Sequence, residues 1–271
     1  MLGAVGIASA IVLRGEQFSL EVADPDAQRA IGHLTQYEAE NRPPEAMPVA
    51  PPLHPLAWVG CVGYTVWLLG VAYAISNGLV RLDAFHAGDL DAARVQDGQW
   101  WRAWTALTLH LSGPHIAANL GAGIWFGYLA GRQLGVGVAW LLIVAGGGIA
   151  NLLEGLLAAP WHQSVGASTA VFTALGLMSA YTWGERLRPS QSWVQRWGPL
   201  VAGISLLGWL GTAGKETDIM AHLLGFGIGV LLGAAAALPA ARRRLHDLPQ
   251  WPAGLAAIAI MAAAWGLALA S

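Results

Sequence analysis

Between Leu56 and Ala270 the chain runs through seven apolar segments. They are about Leu56–Ser76, Pro114–Ala130, Val136–Leu157, Ser168–Trp183, Pro199–Ala213, Ile219–Ala240 and Trp251–Ala270. Within them Glu154 is the only acidic or basic residue. A hydrocarbon core about 30 Å thick is crossed by roughly 20 helical residues. Inside it every backbone polar group must be bonded internally, so the segments are expected to be helices. The predicted fold is therefore an all-α polytopic membrane protein. The fourth and fifth segments fall short of a full crossing, which suits the interior of a bundle or a thinned stretch of bilayer.

Composition agrees. Hydrophobic residues make up 55% of the chain and charged residues 11%, against about 25% charged in soluble domains. A net charge of -2 gives no basis for a nucleic-acid partner. Many of the 35 glycines sit inside apolar segments, where small residues let helices approach closely. Many of the 14 tryptophans fall near segment ends, the depth at which indole rings anchor at the interface. Cys61 is the single cysteine, so no intrachain disulfide can form.

Met1–Asn41 differs in character. Met1–Leu13 lacks the basic start and the apolar length of a signal peptide. Ala8–Leu13 and Gln17–Val22 read as strands joined at Arg14-Gly15-Glu16, because Phe18, Leu20 and Val22 alternate with polar residues. Asp24-Pro25-Asp26 is expected to cap a helix over Ala27–Asn41. One hairpin and one helix bury too little surface to be stable alone. The predicted organisation is a small soluble segment (1–41), a Pro-rich linker (42–55), a six-helix core (56–240), a basic cytoplasmic loop (241–250) and a seventh transmembrane helix (251–271). With the N-terminus cytoplasmic, ten of the 14 basic residues fall inside, including Arg186, Arg188 and Arg242, Arg243, Arg244. That obeys the positive-inside rule and places the C-terminus outside.

Polar residues within such helices are costly and need a reason. The second, fourth and sixth segments all run inward from the outer face. Their first turns carry His115 and Asn119, Ser168, and His222 respectively. Four polar groups are thus expected at one depth. A serine hydroxyl becomes a nucleophile when a neutral imidazole accepts its proton. The oxyanion that follows needs preorganised donors, which Asn119, His115 and the Ser168 backbone N–H could provide. No acidic residue is apparent at that depth to orient His222, so a two-residue dyad is expected rather than a triad.

These residues resemble the motifs of the rhomboid intramembrane serine proteases. The matches are Trp101-Arg102, His110-x4-His115-x3-Asn119, Gly166-Ala167-Ser168 followed by Ala170-Val171-Phe172, and Ala221-His222-Leu223-Leu224-Gly225-x3-Gly229. They span roughly Leu56–Ala240, and the seventh helix is similar to the family's six-plus-one variant. The resemblance implies Ser168 as nucleophile, His222 as base, and His115 and Asn119 as oxyanion-hole side chains. It implies structural roles for Trp101 and Arg102, small packing positions at Gly225 and Gly229, and a supporting place for Gly166. His110 reads equally as a structural hydrogen-bonding residue of the outer loop. Substrates would be transmembrane segments of other proteins, cut within the bilayer without a cofactor or metal. The expected location is the bacterial cytoplasmic membrane, with the site opening to the outer face. Oligomeric state is not readable.

Two positions depart from the family. Thr169 stands where glycine usually follows the nucleophile, and Gly131-Arg132-Gln133-Leu134-Gly135 lacks the frequent acidic residue. The first keeps open an inactive relative that binds and escorts transmembrane helices without cutting. Asn151 and Glu154 read as structural. A metalloprotease is disfavoured, because His110 and His115 do not share a helix face and no histidine is followed by glutamate.

Overall fold

The computed structural model describes residues 2–15, 17–41, 53–79, 84–185, 192–211 and 218–271. They form two compact units, Met1–Pro52 and Leu53–Ser271. In the first, β1 (Ser9–Arg14) pairs antiparallel with β2 (Gln17–Val22), in a register that sets Ile11 against Leu20 and Leu13 against Phe18. Gly15 in the turn has φ +66°, a conformation glycine adopts without steric cost. A 3-10 turn at Asp24–Asp26 leads into α1 (Ala27–Glu40). The expected acidic cap is not made: Asp26 makes no side-chain cap bond and pairs with Arg29 at 2.9 Å. The core here is Leu2, Ile7 and Ala30 with Val22 against it, while Ile11, Leu13, Phe18 and Leu20 are all exposed. Residues 42–52 of the expected linker lie outside the described residues.

The second unit begins with α2 (Ala57–Ser76). An outer segment follows, built from α3 (Ala84–Gly88), β3 (Leu90–Asp91), α4 (Ala92–Gln96) and α5 (Arg102–Thr105). Next come α6 (Gly113–Leu134), α7 (Val136–Leu157), β4 (Gln163–Ser164), α8 (Ser168–Glu185) and α9 (Trp193–Gly211). The chain ends with α10 (Ile219–Ala237), α11 (Pro239–Asp247) and α12 (Gln250–Ala270). All seven expected helices are present. Among the described residues α2, α7, α10 and α12 are long and apolar enough to cross a membrane by length and composition alone. The segment expected as a basic loop carries α11. The fifth helix starts at Trp193, ahead of its expected start at Pro199, which lies inside it. Proline removes one helical donor there, and a membrane helix tolerates this where neighbouring groups compensate.

The outer segment is a frame of its own. The Arg102 guanidinium is buried and donates to Asp89 Oδ1 at 2.7 Å, to the Asp89 carbonyl at 2.9 Å and to the His86 carbonyl at 3.0 Å. Burial pushes the Asp89 carboxyl up, and the Arg102 charge works against that rise. β3 pairs with β4, joining this frame to the loop that precedes α8. Asn151 of α7 donates to the Ala103 carbonyl at 2.9 Å, fastening the same frame to the helices.

Three glycines of α10 set the closest helix contact. A Cβ at Gly225, Gly229 or Gly233 would strike the carbonyl oxygens of Thr169, Thr173 and Leu177 on α8, and one at Gly176 would strike that of Phe226. The two backbones therefore touch along three successive turns, which dispersion rewards where apolar burial cannot. At the other edge α12 packs on α7. Gln250 Oε1 accepts from the N–H groups of Gly137 and Val138 at 3.1 Å each. This ties down the tight α6–α7 junction, where the acidic residue of the family pattern is missing.

Candidate active site

Ser168, His222, His115 and Asn119 each stand near the N-terminal end of a helix, within its first two turns. Ser112 caps α6, its hydroxyl accepting from the His115 N–H at 3.3 Å, and Pro114 occupies the first turn. His115 and Asn119 follow one turn apart, and Asn119 Nδ2 donates to the His115 carbonyl at 3.1 Å. Tyr64 on α2 donates to the Asn119 carbonyl at 2.9 Å, steadying that turn from outside. An amide NH2 has two donors, so one Asn119 N–H remains for another acceptor.

The approach to Ser168 is pinned by the outer frame. Gly166 N–H donates to the Ala106 carbonyl at 3.0 Å, and Ala167 N–H to His110 Nε2 at 3.4 Å. His110 must therefore present a lone pair at Nε2. Burial first, and the neighbouring His115 second, hold its imidazole down to about 4, so it stays neutral. Gly166 has φ +142°, which disfavours a side chain, and a Cβ there would lie 2.9 Å from His115 Nε2. The same point is 3.5 Å from Ser168 Oγ, so His115 and the hydroxyl flank one spot. Ser168 opens α8, where the leading N–H groups have no intrahelical acceptor.

His222 is buried in the first turn of α10, its ring 4.3 Å from that of Phe172 on α8. Asp218 caps this helix, accepting from the Ala221 N–H at 3.0 Å. Ser168, His222, His115 and Asn119 all line one open cavity of about 860 Å³, with Phe126, Val171 and Phe172 as apolar wall. Gly225 lies one turn below His222, against Thr169. Thr169 is buried, and its methyl would be 3.2 Å from a Cβ at Gly225. The helical carbonyl of Thr169 accepts from Thr173 at 2.8 Å. Trp101 and Arg102 lie in the outer frame, away from this cavity's lining.

A hydroxyl, an imidazole and two side chains with N–H groups around one cavity are the parts acyl transfer requires. A second polar cluster shares its rim. His162 Nε2 lies 3.1 Å from Glu154 Oε1 and 3.1 Å from Asp218 Oδ2. These are the residue types that hold metals, and their ligand atoms lie within 4.8 Å of one another. At these separations they also satisfy one another as hydrogen-bond partners. Sequence reasoning missed this cluster. Glu154 and His162 carry no spacing motif, His162 sits in a loop, and Asp218 shows in sequence only as a residue four before His222. Residues 97–239 match the family model of the Rhomboid domain, a span of just over half the chain that holds every candidate residue named for the site.

Proposed function

This chain belongs to the rhomboid family, and on that premise we propose that it is an active serine endopeptidase cutting the transmembrane segments of other proteins. The observation that carries the reading is the shared cavity: Ser168, His222, His115 and Asn119 converge on it from three helices. A substrate helix shields its peptide bonds by its own hydrogen bonding, so it must unwind locally near the outer surface. Ser168 Oγ attacks the exposed carbonyl carbon while His222 takes the hydroxyl proton. His115 N–H, Asn119 N–H and the Ser168 backbone N–H receive the oxyanion. Collapse breaks the C–N bond, and His222 returns the proton to the departing amine. Water then attacks the acyl-enzyme with His222 again as base, releasing the acid and regenerating Ser168. Water supply accounts for a site at helix ends rather than at mid-membrane.

In this reading the N-terminus is cytoplasmic, the C-terminus and the cavity face outward, and the membrane is the bacterial cytoplasmic one. The partners are transmembrane substrates and lipid. Reacting purified protein with a fluorophosphonate probe tests it. Labelling of wild type that disappears in both Ser168→Ala and His222→Ala supports an activated serine. An unlabelled, folded wild type in bilayers overturns it in favour of a helix-binding, non-cleaving relative. Thr169, buried beside Ser168 where the family has glycine, is the observation behind that second reading.

A further inference from the structure

The end of α7, the loop after it and the cap of α10 meet at the rim of the cavity through side chains with no part in the reaction described above. Glu154 comes from the last turn of α7 and is fully buried. His162 comes from the loop that leads to Ser168, and Asp218 is the cap of the helix that carries His222. Asp218 is bonded on three sides. Oδ1 accepts from Ala221 N–H at 3.0 Å, Oδ2 lies 3.1 Å from His162 Nε2, and the backbone carbonyl accepts from the N–H of His222 itself at 3.2 Å. The Glu154 carboxyl also hydrogen-bonds Asp218, and Ser164 Oγ reaches Glu154 Oε2 at 3.4 Å. His162 and Asp218 line the same cavity as Ser168 and His222.

We propose that Asp218, clamped by His162 and Glu154, is the positioning residue of the catalytic base: its carboxylate fixes the first turn of α10 and stabilises the imidazolium that His222 becomes. The proposal rests on the serine-protease reading above. First, the clamp joins the loop bearing the nucleophile to the cap of the helix bearing the base, so it controls their separation directly. Positioning errors of about 1 Å cost on the order of 100-fold in rate. Second, a carboxylate near a forming imidazolium favours the charged form, more strongly in a partly desolvated cleft than in water.

The charge on Asp218 is maintained by its surroundings. Burial alone would raise its carboxyl. The Glu154 hydrogen bond, the Ala221 N–H, and the charges of His162 and His222 together hold it below the usual carboxylate range. Glu154 then serves as the proton-bearing partner, since two carboxylates at one buried point cannot both ionise cheaply. The titratable groups among the described residues around His222 are Asp218 on its own helix, Glu154 from α7, His162 from the loop and His115 from α6. A family dyad without an adjacent carboxylate thus acquires one here through the helix cap.

The test is Asp218→Asn, which keeps an oxygen to cap Ala221 and removes the charge. Cleavage of a transmembrane substrate by the full-length protein in bilayers should show kcat about tenfold lower, KM unchanged, and the acid limb of the kcat profile moved about one unit to lower pH. Asp218→Glu should recover part of both effects, and His162→Gln should produce a smaller version. A second readout needs no cleavage: the ring nitrogens of His222, followed by NMR titration in Ser168→Ala protein, should protonate at lower pH once Asp218→Asn is added. Unchanged kcat, pH profile and His222 titration in folded Asp218→Asn protein would overturn the proposal. Loss of fluorophosphonate labelling in wild type would instead overturn the protease reading. The NMR titration would still decide the coupling.

Discussion

The seam between α8 and α10 and the neighbouring helix α9 are both apolar, yet they are held in opposite ways. Along the seam a run of glycines brings two backbones into contact, and almost every residue of α8 from Thr169 to Tyr181 is buried. On α9, Val201, Ile204 and Trp209 are more than half exposed, and the helix meets α8 through Gly203 against Ser179 and Trp197 against Trp183. The difference teaches where precision is needed. The seam sets the distance between Ser168 and His222, so it is built from atoms that cannot move independently. Helix α9 contributes Leu210 to the cavity wall, and much of its remaining apolar surface is exposed rather than packed.

Substitutions that break this contrast can be ranked. Ser168→Ala and His222→Ala should each abolish cleavage, a loss on the order of 10⁶-fold in kcat for groups acting as one unit, measured on a transmembrane substrate in bilayers. Arg102→Ala should come next in stability. Leaving Asp89 buried without its partner costs roughly 3–5 kcal/mol, visible as a lower unfolding midpoint. Gly225→Ala should cost about 1–3 kcal/mol by overpacking against the Thr169 carbonyl, and should lower kcat more than it lowers stability. A Gly225→Ala protein with wild-type kcat would refute the view that the seam sets the catalytic distance. At the small end, Ile204→Ala on the exposed side of α9 should change stability by less than about 0.5 kcal/mol.

A pH measurement sharpens the same comparison at the end of the seam nearest Ser168. His110 is neutral in the folded protein and is held down to about 4, whereas an unfolded histidine titrates near 6.5. Its contribution to stability is full above about 6.5 and is lost as pH falls toward 4, because the unfolded state binds the extra proton first. Unfolding midpoints should drop across that window in wild type and drop less in His110→Gln.

Much of the architecture was legible before any coordinates. Helix starts such as Ser112-Gly113-Pro114, and ends such as Leu157 and Ser76, fell where capping and hydropathy placed them. The start of α9 did not, because the boundary was drawn at Pro199 and the preceding turn, Trp193–Gly198, is only moderately apolar. Likewise α11 was hidden in a basic stretch whose amphipathic character is weaker evidence than an apolar run. In the site, Ser168, His222, His115 and Asn119 were proposed from chemistry and helix position, and they line one cavity. The rim cluster of Glu154, His162 and Asp218 was not proposed, because each belongs to a different element.

What the sequence alone determined is membrane residence and the run of apolar helical segments, because these follow from hydropathy, length and chain order. What only the tertiary structure decided is which polar groups touch. Helix direction brings Ser168 and His222 to one level, but their approach depends on glycines meeting carbonyl oxygens across a seam. The Asp218 carboxylate meets His162 and Glu154 because a loop and two helix ends fold over one another. Such contacts are set by side-chain reach and backbone proximity in three dimensions, and linear spacing carries no record of either.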